Sequence, residues 1–325
     1  MRRLAPLACT LLIALLAAGC ASDDDSQSDR ATRPVALALD FQPNAVHAGI
    51  YSALDRDLDR RHGLDLEVRV PASSTDSLKL LAAGRADAAI VDVHDLGLAA
   101  ERGAEVVGIG ALVQRPLAAV ITRPEIRRPR DLEGRRVGVT GLPSDDAVLR
   151  ATVETDGGDP DAVRRTTIGF SAVPSLASGR VDGVVTFWNA EGVALRRRGV
   201  PVRELRVDRY GAPRYPELIV AADPRRVAEN PELLTDLLAT IADGTRAALA
   251  DRPAAIRAVA DASDSDPGLV RAQLAAVAPA LRPAVVLDTA ALRAWARFDV
   301  RFGILERRPD VKTLFRTDLM PGATR

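Results

Sequence analysis

The sequence predicts an α/β protein of two lobes, each a mostly parallel sheet flanked by helices, with a ligand cleft between the lobes. Three observations predict it. Short Val- and Ile-rich runs alternate with longer helical patterns, a phrase of the first half recurs in the second, and the pattern turns wholly helical after Asp223. At 325 residues, 47% of them hydrophobic, the chain can fill more than one core.

In order, the candidate strands are Val35–Leu39, Leu66–Val70, Ala88–Val91, Val106–Ile109, Ala118–Ile121, Val137–Thr140, Thr166–Ile168, Val181–Phe187 and Leu218–Ala221. Helical patterns between them imply βαβ units. The later helices read "ENPELLTDLLATIADGTRAALA", "RPAAIRAVADAS", "DPGLVRAQLAAVAP" and "DTAALRAWARFDVRFGIL". Asn230, Asp266 and Asp288 are candidate N-caps, the first two followed by proline at the first helical position.

The repeat pairs "LAAGRADAAI" (81–90) with "LASGRVDGVV" (176–185), which share Leu, Ala, Gly, Arg and Asp at matching places. Each reads as a helix stopped by glycine, a tight turn and a buried strand. Upstream, "VALALDFQPNAV" is echoed by "VGVTGLPSDDAV", a strand, a loop and a capped helix in both cases. Chain crossings near 114–119 and 216–220 predict a two-segment hinge, with the C-terminal helices rejoining the first lobe. Residues 35–117 and 220–325 are then lobe 1, and 118–219 lobe 2.

The N-terminus predicts export. Arg2 and Arg3 precede an apolar run that ends in "LAAGC" at Cys20, too short to span a membrane. This ending resembles the bacterial lipobox, which implies cleavage after residue 19, diacylation of Cys20 and anchoring at the outer face of the cell membrane. The polar stretch 20–34 reads as a disordered tether. Cys9 leaves with the leader, so Cys20 is the mature chain's sole cysteine, and neither a disulfide framework nor a cysteine-based metal site is expected. Charges balance at 44 basic and 44 acidic residues, and loss of Arg2 and Arg3 leaves 42 against 44, a net −2. Such a balance gives no general pull toward nucleic acid.

Ligands bind open parallel sheets at the C-terminal ends of the strands, and there the chain concentrates its chemistry. "LDFQPNAVHAGIY" (39–51) places Asp40 and Phe41 at a strand end, with Asn44 capping a helix. At 100° per residue Asn44, His47 and Tyr51 share one edge of that helix. From lobe 2, "TFWNAEG" (186–192) offers Trp188, Asn189 and Glu191 after an apolar strand. A flat heterocycle stacked between Trp188 and Phe41 or Tyr51 would find acceptors in Asp40 and Glu191, and mixed donors and acceptors in Asn44 and His47. The alternative for Trp188 is a core indole, and Trp295, on an amphipathic helix, reads as core. Gly141 and Ser144, just before a helix, offer backbone N–H groups to an anionic or carbonyl substituent. Asp92, His94 and Asp95 end another strand within reach of the cleft.

At these phrases, together with "HGLDLEV", "DLEGRRVGVTG" and "VTFWNAEGVAL", the sequence resembles the substrate-binding lipoproteins of ABC importers for thiamine pyrimidine precursors, relatives of the fungal thiamine-pyrimidine synthases. The likeness runs from about Val35 to Val220, with a looser match at "RTDLMP". It implies a periplasmic-binding-protein type II fold that closes over an aminopyrimidine, and ligand contacts at Asn44, His47, Tyr51, Trp188 and Glu191. The segment "IVDVHD" departs from the family's polar Ser-Tyr-Gln run, so flavin-like or other heteroaromatic ligands, and sulfonate- or nitrate-like anions, stay open. The function expected is capture of a small heteroaromatic by a monomeric lipoprotein and its delivery to an ABC permease and ATPase. No cofactor or metal is expected. A synthase-like enzyme is the rival class, and no Ser-His-Asp or HExxH arrangement appears for it. A ligand sensor is the third.

Overall fold

The computed structural model describes residues 32–73 and 76–320. The leader, Cys20 and most of the tether lie outside the described residues. Among those described, no helix is long and apolar enough to cross a membrane.

Among the described residues, ten strands form two sheets of five. They are β1 (Arg33–Ala38), β2 (Leu64–Arg69), β3 (Ala88–Asp92), β4 (Val107–Val113), β5 (Ala118–Thr122), β6 (Arg136–Val139), β7 (Arg164–Thr167), β8 (Gly183–Phe187), β9 (Arg203–Arg206) and β10 (Leu218–Ala222). The first sheet runs β2-β1-β3-β10-β4 and the second β7-β6-β8-β5-β9. In each sheet four strands run one way and one, β10 or β5, runs against them. β1 begins at Arg33 and pairs there with Leu64, so Arg33 and Pro34 are strand and not tether.

The repeated phrase has a clear purpose. Gly84 and Gly179 each end a helix at positive φ, +64° and +75°, which a side chain rarely adopts. The aspartates three residues on then brace the first parallel strand of their own sheet. Asp87 accepts from the Ala36 N–H at 2.8 Å, and Asp182 from the Arg136 N–H at 2.9 Å. One device is used twice.

The chain passes from the first sheet to the second between Val113 and Ala118 and returns between Arg206 and Leu218. Glu217, on the return, accepts from the Leu117 N–H at 3.0 Å and so ties the two crossings together. Gln114 donates to the carbonyls of Pro283 and Val286. The C-terminal helices pack on the first sheet's side. Pro231–Ala250 crosses Ala48–Asp55 so closely that Gly244 lies against the Gly49 carbonyl, and Trp295 of Thr289–Arg301 lies against Gly97. Asp266 and Asp288 cap their helices by side-chain hydrogen bonds, whereas Asn230 holds the cap position without one. Trp295 is wholly buried, as its amphipathic pattern predicts.

Candidate ligand-binding site

The C-terminal ends of the parallel strands of both sheets face one cavity of about 110 Å³. From the first sheet come Asp40 and Phe41 after β1, and Asp92 and Asp95 at the end of β3 and the start of the helix Val93–Glu101. The second sheet supplies Ser144 and Asp145 on the helix Pro143–Thr155, Phe170 after β7, and Phe187 and Glu191 around the end of β8.

At the cavity, a ring contact and a hydrogen bond cross from lobe to lobe. The Phe41 and Phe170 rings meet edge to face, centroids 4.4 Å apart, and the Ser144 hydroxyl donates to Asp95 Oδ2 at 3.0 Å.

Of the residues the sequence brings to the cleft, Asp40, Phe41, Asn44, Asp92, Asp95, Ser144 and Glu191 line the cavity. His47, Tyr51, Gly141, Trp188 and Asn189 do not, each for a local reason, and His94 lies beneath the wall. His47 is fully buried behind Asp40. Its Nδ1 accepts from the Asn44 N–H at 3.3 Å, and its Nε2–H donates to Asp40 Oδ1 at 2.8 Å. The imidazole therefore positions a carboxylate instead of facing the cavity. Tyr51 packs against the core one turn further on, and burial pushes its hydroxyl up to about 12. Gly141 adopts φ +102°, but its N–H and that of Thr140 both go to Asp145 Oδ2, so the chain's own carboxylate fills the place proposed for an anion.

Trp188 corrects the stacking expectation. Its Nε1 donates to the Pro116 carbonyl, its backbone N–H to that of Leu117, and the Arg206 guanidinium lies over its ring at 4.0 Å. The indole is thus spent on the lobe crossing, and it is the preceding residue, Phe187, that shows its ring to the cavity. Asn189 is fully buried behind the wall, with neither amide atom hydrogen bonded. Sequence reasoning missed Phe170 and Asp145. Both sit one or two residues beyond a strand end or a quoted loop residue, which is the only signal they give.

Electrostatically the cavity is acidic. Asp40, Asp92, Asp95, Asp145 and Glu191 line it, and among the described residues no Arg, Lys or His does. Burial raises Asp95 to about 6 against the hydrogen bond from Ser144, and raises Asp145 to about 7 against those from Thr140. It also raises Asp92, and Glu191 against a hydrogen bond from Thr186. Beneath the first-lobe wall lies a buried counter-charge. Burial disfavours the His94 imidazolium, but Asp299 at 2.7 Å outweighs that and holds the ring's pKa at about 10. Its Nε2 then donates to the Tyr215 hydroxyl at 3.1 Å. No cluster of His, Cys, Asp and Glu suited to a metal ion occurs among the described residues.

Two lobes of this topology with a cavity between facing strand ends define a periplasmic-binding-protein type II fold. The periplasmic aliphatic sulphonate binding protein SsuA of Escherichia coli superposes on it with a TM-score of 0.69 at 17% identity, covering 88% of this chain and 98% of that one. The chain belongs to the NMT1/THI5-like family, whose sequence pattern matches residues 44–255. A formylaminopyrimidine-binding protein of Halalkalibacterium halodurans is 32% identical over 228 residues, 69% of each chain. The 4-amino-5-hydroxymethyl-2-methylpyrimidine phosphate synthase of Schizosaccharomyces pombe is 25% identical over 237 residues, 68% of this chain and 67% of its own.

Proposed function

We propose that the protein is a lipid-anchored substrate-binding protein of an ABC importer that captures a small amino-substituted heteroaromatic, of the thiamine-pyrimidine-precursor type, by closure of its lobes. The observation that carries this reading is the composition of the cavity wall. Phe41, Phe170 and Phe187 offer aromatic rings, Asn44 an amide, and Glu191 a carboxylate oxygen without a partner. An amino group on a flat ring supplies the donors that such a wall lacks. Ligand contacts are assigned to Asp40, Phe41, Asn44, Asp92, Ser144, Phe187 and Glu191. Because groups from both lobes form the wall, ligand favours the closed arrangement.

An anion is disfavoured here. It would meet five carboxylates and, among the described residues, no lining cation, and the backbone N–H groups of Thr140 and Gly141, in the loop ahead of the helix Pro143–Thr155, are already engaged by Asp145. Catalysis is disfavoured by the use of His47 as a support for Asp40 and of His94 as a buried counter-charge. Delivery to a permease and its ATPase, the lobe boundaries given above, a monomeric state and anchoring through Cys20 belong to the same proposal.

Thermal shift of protein stripped of ligand by unfolding and refolding tests the ligand class. Stabilisation by an aminopyrimidine and none by an alkanesulfonate or nitrate is expected. The reverse pattern overturns the reading. For the anchor, Cys20→Ala releases the protein from the membrane fraction, and retention of this variant refutes lipidation.

A further inference from the structure

The cavity holds more acid than a neutral aminopyrimidine needs. Such a ring presents an exocyclic amino group, satisfied by one carboxylate such as Glu191, and ring nitrogens that want donors. That leaves Asp92, Asp95 and Asp145 grouped where the first lobe meets the helix Pro143–Thr155. Asp95 is only 6% exposed, and while its Oδ2 takes the Ser144 hydroxyl, its Oδ1 has no partner. Asp145 spends one oxygen on its own loop. Among the described residues no Arg or Lys pairs with Asp92, Asp95 or Asp145. A buried carboxylate oxygen without a partner, on a side chain that lines a cavity, is costly unless a donor arrives with the ligand.

Resting on the aminopyrimidine reading above, we infer that this site selects an aminopyrimidine bearing a protonated primary amine on its side arm, with the ammonium seated at Asp95 between Asp92 and Asp145. An ammonium brings three N–H donors and a positive charge to this end of the cavity, and no acceptor. A formylated arm brings one N–H and a carbonyl oxygen, and that oxygen would face carboxylate oxygens with no donor between them. The relative from Halalkalibacterium halodurans bears the formylated ligand in its name, so the two chains are expected to divide the free and the formylated amine between them.

Isothermal titration of wild-type protein at pH 7.5 with one aminopyrimidine, as its free aminomethyl compound and as the N-formyl derivative, decides the matter. The free amine is expected to bind at least tenfold tighter. Equal affinities, or preference for the formyl compound, overturn the inference while leaving the aminopyrimidine reading intact. If neither binds, that reading falls and takes the inference with it. Asp95→Asn keeps the side chain's shape and its Ser144 partner. It is expected to lose at least tenfold for the amine and less than twofold for the formyl compound, and an equal loss for both overturns the seat at Asp95. Should Asp95→Asn fail to fold, Asp145→Asn read the same way tests the charge, and the wild-type comparison stands alone in any case.

Discussion

Ser144 and Asp95 face each other from different lobes, and the hydroxyl of one donates to the carboxylate of the other at 3.0 Å. This contact exists only while the lobes are together, so it belongs to the closed state's free energy and not to the folding of either lobe. Ser144→Ala is therefore expected to weaken ligand binding about tenfold, equivalent to ~1.4 kcal/mol. Titration calorimetry reads the affinity, and thermal unfolding of the apo protein checks that stability is little altered.

Phe187 and Trp188 are neighbours in sequence with opposite duties. Trp188→Ala removes an indole buried against the lobe crossing and is expected to cost ~3 kcal/mol of stability. Phe187→Ala is expected to cost at least tenfold in ligand affinity and less in stability. Urea unfolding and titration on the two variants separate them. Both tryptophans of the chain lie outside the cavity, so ligand is expected to change intrinsic tryptophan fluorescence little.

Stability of the empty protein is expected to fall as pH rises from 5 to 8. The folded pKa values of Asp95 (about 6), Asp145 (about 7) and Glu217 (about 7) all stand above the ordinary carboxylate range because of burial. Groups raised in this way contribute stability in full below about pH 4, and lose it as pH climbs through the folded value. His94, held at about 10 by Asp299 against the opposing effect of burial, acts with the same sign between about 6.5 and 10. Asp156, Asp182 and Asp223 are lowered in the fold and lose their contribution only below about pH 4, outside this window. A melting temperature that rises from pH 5 to pH 8 contradicts this assignment.

Gly244 marks where two helices touch. A methyl there meets the Gly49 carbonyl and Ala53, both on the helix Ala48–Asp55. Gly244→Ala is expected to destabilise by ~1–3 kcal/mol through overpacking. Denaturant unfolding measures the loss, and ligand stoichiometry is expected to stay at one per chain.

Much of this architecture was legible in the sequence because the periodicities are strong and the repeat is functional. Asp87 and Asp182 are both visible in the recurring phrase, and both brace a strand. The strand Arg203–Arg206 escaped notice because "RELR" is polar. It is an edge strand paired only with β5, where Leu205 alone is deeply buried. The site was half legible. Residues at strand ends could be located, but which of two adjacent aromatics faces the cavity depends on strand alternation and on the carbonyl of Pro116, 72 residues away. His47 looked like a ligand contact because its helix edge was right, yet its two ring nitrogens are both taken locally. Asp145 was passed over because loop-capping carboxylates look alike until the fold brings one to a cavity.

The clearest trial offers refolded wild-type protein equimolar aminomethyl-aminopyrimidine and alkanesulfonate together, and weighs the intact complex by native mass spectrometry. The account predicts a single mass increment, that of one aminopyrimidine per chain. A sulfonate adduct in its place, or a spectrum showing only the bare chain, contradicts it.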